Sequence, residues 1–432
     1  MSVLAIALFG AGAVAAGFPR SAGSGVERAF RAVVALALGI GAWSAAYAGW
    51  LMGAGIAGPG KDLALAAAGA ALWIAFRRRQ PATESQAEAA PRWLWLLFAL
   101  SCAVAAAAFV EHTLRFPDGG WDAWMIWNLR ARFLARAADF RTAFSPDMAF
   151  LAHQDYPWLL PGAVAQAFAA FGESRAIPAL VAAIFGALGV AVVALAVARK
   201  FGARWGLFAG LAVTTLPCFP VFVSNQQSDV PLSVYLAIAA ALLASAGSRR
   251  ELALAGFAAG LGMWTKNEGS LYAICLLAAL LWRTRDLRAA AAFAGGVLPG
   301  ALLLLWFKLA LAPPNDLAAF STAGTLLHNA LDLRRWGELA LMTLRRIVYF
   351  QDFALWVAAE ALFLAFFVRR QQPSVLGTAL FLACAAFAPI YALQPHRLDW
   401  IFRTSADRIL IQLWPAAVLA TAPFLARTTA RT

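Results

Sequence analysis

Apolar runs long enough to cross a lipid bilayer follow one another along almost the whole chain and leave room for little else. A spanning helix needs about 20 predominantly apolar residues, somewhat fewer at the short end. Such runs lie at 2–18, 32–57, 62–76, 93–111, 176–198, 205–222, 229–247, 251–265, 269–282, 288–311, 353–368, 374–393 and 408–425. Of the 432 residues 62% are hydrophobic and 13% charged, and mean hydropathy is +0.71. Soluble domains sit nearer half apolar and a quarter charged. The expected fold is therefore an all-α polytopic membrane protein with about thirteen transmembrane helices. Loops this short hold no separate soluble catalytic module, so any site must be assembled from loops and helix ends. The first run has neither a basic segment before it nor a small-residue cleavage site after it, which predicts a retained span.

Orientation follows from the short loops, because Lys and Arg collect on the cytoplasmic side. Arg20, Arg28 and Arg31, then Arg77 to Arg79 with Arg92, Arg199-Lys200 with Arg204, Arg249-Arg250, Arg283 with Arg285 and Arg288, Arg369-Arg370, and Arg427 with Arg431 mark successive cytoplasmic turns. The loops at 112–175, 223–228, 266–268, 312–352 and 394–407 then face outward, with the N-terminus outside and the C-terminus inside. Counting 158–171 as a span would break this alternation. With Pro157, Pro161 and Gly172 at its edges, that run is expected to be an in-and-out or surface-lying helix.

The net charge of +13 reads as topology and contact with anionic head groups, not nucleic-acid binding. Cys102, Cys218, Cys275 and Cys384 lie in apolar runs without a CxxC pair, as small core residues do. His112, His153, His328 and His396 all fall in outward loops.

The long polar interval of the first half holds Asp122, which follows a Pro-Asp-Gly-Gly turn and begins a helical pattern reaching Phe140. Asp122 either caps that helix or serves as a general base, since a hydroxyl is a poor nucleophile until its proton is accepted. The helix sets Trp124, Trp127 and Phe133 against Arg130, Arg132 and Arg136, a pattern that lies in the head-group plane. His153, Asp155 and Tyr156 precede Pro157 and are either substrate-binding groups or an ordinary loop with a proline stop. Asp229 either caps the next span, or binds sugar hydroxyls or assists Asp122. Lys266 and Glu268 stand between two short apolar runs, where unpaired charge is costly. They pair with each other, or Lys266 meets a ligand anion and Glu268 a hydroxyl.

Arg403, Asp407 and Arg408 precede the last run. A guanidinium there suits a phosphate through paired hydrogen bonds, and surface pairs Asp407–Arg408 or Asp399–Arg403 are the alternative. Asp122, His153, Asp155 and Asp229 are too dispersed for their spacing to decide a metal site, so no metal or cofactor is assigned and a divalent ion stays open.

In this order Asp122, His153-x-Asp155-Tyr156-Pro157, Phe171-Gly172-Glu173, Arg199-Lys200-Phe201-Gly202, Gln227-Ser228-Asp229-Val230-Pro231, Gly260 to Gly269 and Thr404-Ser405-Ala406-Asp407-Arg408 resemble the polyprenyl-phosphate-dependent GT-C glycosyltransferases. The protein-mannosyltransferase-like and aminoarabinose-transferase-like bacterial branch is the most similar. The resemblance covers about 93–425, a GT-C-like catalytic domain with outer loop 112–175, and leaves the helices of 1–92 without a role. In it Asp122 matches the family's loop acid, Asp229 its second acid before a span, Lys266 its polar turn and Arg408 a basic residue near its last outer loop. Asp122 and Asp229 are then expected to be catalytic, Lys266 and Arg408 to bind donor phosphate, and His153, Asp155, Tyr156 and Glu268 to bind substrate. Asp122 is followed by Ala123 where many relatives have Asp-Glu.

The expected activity is inverting transfer of a sugar from a polyprenyl-phosphate donor to a glycan, lipid or protein hydroxyl. The resemblance implies the extracytoplasmic face of a bacterial inner membrane. The alternative is a transporter or flippase of a lipid-linked sugar or small solute. Transporters place ionisable groups or broken helices near the midplane, often in repeated halves. Here the runs carry almost no charge apart from Lys308 and Glu360 near helix ends, and no internal repeat is present.

Overall fold

The computed structural model describes residues 1–18, 24–76, 90–148, 153–348 and 374–428, and all regular structure among them is helical. The run expected at 353–368 lies outside the described residues. Helices α1 Ser2–Gly17, α2 Gly25–Ala54, α3 Gly60–Phe76 and α4 Arg92–Arg115 lead to the outer loop. Within that loop are a π-helical turn Ala123–Trp127, α5 Asn128–Arg136, a 3-10 turn Phe140–Phe144 and α6 Leu159–Phe171. There follow α7 Ala176–Phe201, α8 Ala203–Thr214, α9 Phe219–Ser224, α10 Asp229–Ser245, α11 Arg249–Thr265, α12 Glu268–Thr284 and α13 Leu287–Ala310. Three short helices, α14 Asp316–Phe320, α15 Ala323–Leu331 and α16 Leu333–Val348, precede α17 Val375–Leu393 and α18 Leu398–Thr428.

Among the described residues five helices, α2, α4, α7, α13 and α17, are both long and apolar enough to cross a membrane. Helices α1, α3, α10, α11 and α12 hold 16 or 17 residues. At a rise of about 1.5 Å per residue each reaches about 25 Å, just short of a hydrocarbon core of about 30 Å. The run expected at 205–222 is two helices, because Pro217 and Pro220 cannot donate to a continuing ladder and the chain turns between Thr214 and Phe219.

Small residues set the tightest crossings. Gly256 and Gly260 of α11 face Gly296 and Gly300 of α13, each pair four residues apart on its helix. A Cβ on Gly256 would stand 1.9 Å from the Phe293 carbonyl oxygen, and one on Gly300 would stand 2.3 Å from that of Gly260. Only hydrogen fits, as in small-xxx-small packing between membrane helices. Gly10 meets α2 at Ala35 and Gly12 meets α3 at Gly69 in the same way. The N-terminal helices are also bonded to the rest. Tyr235 donates to the Ala37 carbonyl (3.0 Å), Ser44 to that of Leu159 (2.6 Å) and Tyr47 to that of Leu134 (3.1 Å). Phe30, Val34 and Leu38 of α2 share one apolar core with Phe185, Leu242 and Phe293, so the core is continuous across residue 92.

The charged residues gather at two opposite ends of the bundle. At one end Glu27 bridges Arg31 (2.6 Å) and Arg199, while Arg199 also meets Glu251 (3.8 Å) and Lys200 bonds the Ala244 carbonyl (3.2 Å). The other end joins the loops around 112–175, 223–228, 266–268 and 394–397. Helix α6 begins and finishes there. Arg130 holds the turn before it, and after it Glu173 accepts from Arg136 (2.7 Å) while Arg175 lies 3.4 Å from Asp118. The expected surface-lying helix is instead enclosed, since Leu159 to Phe168 are all buried beneath α5 and against α2.

The loop expected at 394–407 is also corrected. Residues from Leu398 onward belong to α18, which runs unbroken into the last apolar run. Asp399, Arg403 and Asp407 recur every fourth residue and so form one polar stripe on a helix.

Candidate active site

Asp122 reaches the rest of the site because its loop is fastened to the turn before α10. Gly120 N–H donates to the Asn225 carbonyl (3.2 Å), Asn128 donates to Gln226 (2.8 Å), and Gln226 donates back to the Pro117 carbonyl (3.2 Å). Gly119 has φ +79°, and a Cβ there would stand 2.8 Å from the Asn225 oxygen. Both the backbone conformation and the close approach call for glycine. The π-helical turn that follows places Ala123, Ile126 and Trp127 inward and leaves Asp122 at the rim.

Five of the expected residues then form one chain of contacts. Asp122 Oδ2 accepts from Arg408 Nη1 (2.5 Å), and Arg408 Nε donates to Asp229 Oδ2 (3.1 Å). Asp229 Oδ1 accepts from Lys266 Nζ (2.9 Å), which also lies 2.8 Å from Glu268 Oε1. Exposure divides them sharply. The side chains of Asp122, Arg408 and Glu268 are 20%, 18% and 19% exposed, whereas those of Asp229 and Lys266 are 1% and 3% exposed. Arg408 Nη2 and Glu268 Oε2 are buried atoms with no hydrogen-bond partner among the described residues.

Asp122 is therefore not a helix cap: its side chain caps no backbone N–H and is turned to Arg408. Asp229 does not cap α10 either, and it is sealed from a ligand, with Lys266, Arg408 and Gln412 on its two oxygens. Lys266 is equally enclosed, so the anion it meets is Asp229 together with Glu268. The surface-pair alternative holds for Arg403, which lies 2.9 Å from Asp399, while Asp407 lies 2.7 Å from Arg346 of α16.

The second group of expected residues flanks this chain. Arg130, itself buried, donates to the carbonyls of Tyr156 (2.7 Å) and His153 (2.8 Å) and so fixes the turn, in which His153 has φ +40°. Burial pulls its guanidinium down to about 10, still protonated at neutral pH. Asp155 accepts from Asn267 (2.7 Å) and lies 3.6 Å from Lys308. Tyr156 stacks on Trp127 (5.5 Å between centroids), and Lys266 Nζ sits 5.7 Å above its ring. Burial, with Glu268 and Asp155 nearby, pushes its phenol well above the usual range. His153 meets this group by stacking on Tyr156 at 5.4 Å.

Sequence reading missed Gln412, Tyr272 and Asn267, and it noted Lys308 without its partner. Gln412 follows Arg408 by one helical turn, which is a legible signal once α18 is known to be continuous. Among the described residues no three His, Cys, Asp or Glu side chains gather as a metal-ligand set.

Residues 156–307 match the family of dolichyl-phosphate-mannose-protein mannosyltransferases. The crystal structure of ArnT from Cupriavidus metallidurans bound to undecaprenyl phosphate is similar to the chain, with a TM-score of 0.53 at 17% identity. The match covers 78% of this chain and 61% of ArnT, a likeness of fold. The apo-state structure of ArnT from the same organism gives 0.37 at 17% identity, covering 78% and 76%. No curated protein matches the chain.

Proposed function

We propose, from the premise that this chain belongs by fold to the GT-C superfamily of membrane glycosyltransferases, that it transfers a sugar from a polyprenyl-phosphate donor to an acceptor hydroxyl. The observation that carries the proposal is Arg408. One guanidinium spans the reachable Asp122 and the buried Asp229 and keeps Nη2 without a partner among the described residues, at one polar end of an otherwise apolar bundle. A planar cation with a free donor fits a phosphate, and the apolar surroundings suit a prenyl chain. Arg28, Arg31, Arg199, Lys200, Arg249 and Arg250 at the opposite end support a site on the extracytoplasmic face, and the resemblance to bacterial transferases supports an inner membrane.

In this reading the donor phosphate binds Arg408 and competes with Asp122 for it. Asp122, loosened from the ion pair, accepts the acceptor's proton as its oxygen forms the new bond at the anomeric carbon. The bond from that carbon to the phosphate oxygen breaks on the opposite side, and the charge left on the phosphate is stabilised by Arg408. A single in-line displacement inverts the anomeric configuration. Asp229 and Lys266 hold Arg408 in place and touch no substrate. Glu268, with 19% of its side chain exposed, is the carboxylate left to meet a sugar hydroxyl.

The test is transfer by purified protein supplied with a polyprenyl-phosphate sugar and envelope acceptors, with products read by mass spectrometry. Arg408→Ala is expected to lose donor binding, and Asp122→Asn to bind donor and lose transfer by about 10²- to 10⁴-fold. Transfer by Arg408→Ala with unchanged donor dependence would remove the phosphate role. A flippase removes no acceptor proton, so lipid movement that survives Asp122→Asn without any transfer would favour the transporter.

A further inference from the structure

Asp229 has a third partner that the reaction itself does not require. Gln412 Nε2 donates to Asp229 Oδ1, the oxygen that also accepts from Lys266, while Gln412 Oε1 accepts from the Tyr272 hydroxyl at 2.8 Å. Gln412 is 0% exposed and Tyr272 is 3% exposed, so both bonds are shielded from water. The three side chains come from α18, α10 and α12, and Gln412 stands one turn beyond Arg408 on the same helix.

We infer that Tyr272 and Gln412 are positioning residues that fix Asp229 so that Arg408 keeps one nitrogen for the donor phosphate. The inference rests on the donor-binding reading of Arg408 above. An arginine beside a carboxylate tends to close a two-pronged pair, offering two nitrogens to two oxygens. Here that geometry is blocked, because Asp229 Oδ1 already holds Lys266 and Gln412 and only Oδ2 is left for Arg408 Nε. Nη1 goes to Asp122, and Nη2 stays without a partner among the described residues.

Asp229 sets the direction of the amide, and Tyr272 holds it there. If Gln412 flipped, its oxygen would face the Asp229 carboxylate, acceptor against acceptor, and its NH₂ would face the Tyr272 oxygen. The acceptor-only carboxylate therefore selects the orientation that aims N–H at Asp229, and the Tyr272 hydroxyl anchors the amide in it by donating to Gln412 Oε1. Without Gln412, Asp229 can turn Oδ1 toward Arg408 and take up the free nitrogen.

The experiment measures binding of undecaprenyl phosphate, with no acceptor present, to detergent-purified wild type, Gln412→Met, Tyr272→Phe and the double variant. Methionine keeps the volume of glutamine without its hydrogen bonds. Wild type is expected to bind. Gln412→Met should bind about tenfold more weakly, the scale of a hydrogen bond to a charged group, and Tyr272→Phe should bind less weakly than that. Because the tyrosine acts through the glutamine, the double variant should bind as Gln412→Met does.

Thermal stability read alongside separates a structural role, which would lower stability and leave affinity unchanged. Wild-type affinity in a folded Gln412→Met, or full additivity in the double variant, overturns the inference while the donor reading stands. If Gln412→Met fails to fold, Tyr272→Phe decides alone, and unchanged affinity there counts against the inference. Failure of wild type to bind would sink the donor reading and this inference with it.

Discussion

Asp122 and Asp229 look alike in the sequence, and substituting each by asparagine should separate them by stability as well as activity. Asp229→Asn keeps the volume but offers one acceptor oxygen where Lys266, Arg408 and Gln412 all donate. At least one of those donors must then face an NH₂ group. Lys266 and Arg408 also lose the carboxylate that lies between them, in a place where the Asp229 and Lys266 side chains are 1% and 3% exposed. Breaking a buried ion pair from one side costs about 3–5 kcal/mol.

Asp122→Asn removes one partner of Arg408, which keeps Asp229, and it does so at a side chain 20% exposed. The loss there is about 1–2 kcal/mol. Each 1.4 kcal/mol is about tenfold in the folded-to-unfolded ratio, so the gap between the variants should be roughly fivefold or more. Thermal unfolding of both in the same detergent, paired with the transfer assay, reads this directly. Asp122→Asn should remain folded and fail at transfer, whereas Asp229→Asn should unfold first. Equal stability of the two, or a fully stable Asp229→Asn, would refute the argument from burial.

Other outcomes follow from particular contacts. The Arg136 guanidinium bonded to Glu173 holds that carboxyl below the usual range. The tether it makes is therefore complete above the unfolded value of about 4.3 and is lost as pH falls through the lower folded value. Hydrogen-exchange protection at 172–175 should stay constant from neutral pH down to about 5 and then decline, and Glu173→Gln should show the loosened loop throughout. Gly296→Leu would drive a side chain into α11, where even a Cβ would stand 1.9 Å from the Ala253 oxygen. Membrane assembly should fail, and a normal yield of active protein would contradict the packing account. Cysteines placed at the exposed positions Asp147 and Ser174 should both react with an impermeant maleimide from outside; reaction from opposite sides would mean that α6 crosses the membrane.

The sequence by itself determined that the chain is a helical membrane protein, because no other structure satisfies its backbone over so many apolar runs. It also placed the basic residues in alternate loops and assembled a short roster of polar residues at the other end. Those properties are local: length, hydropathy and the sign of nearby charge. Two misreadings were local as well. Charges at 399, 403 and 407 resemble a loop by composition although their spacing is helical, and the prolines at 217 and 220 divide a run that is continuous by hydropathy alone.

Only the tertiary structure decided what each ionisable group can do. Arg408 finds its partners 286 and 179 residues earlier in the chain, and no spacing rule reaches that far. Burial then gave two similar acids different positions, Asp122 at the rim and Asp229 sealed behind Lys266, Arg408 and Gln412. The physical reason is that a charge's role depends on its solvation and on the direction of its neighbours. In this protein both are fixed where α10, α11 and α18 meet.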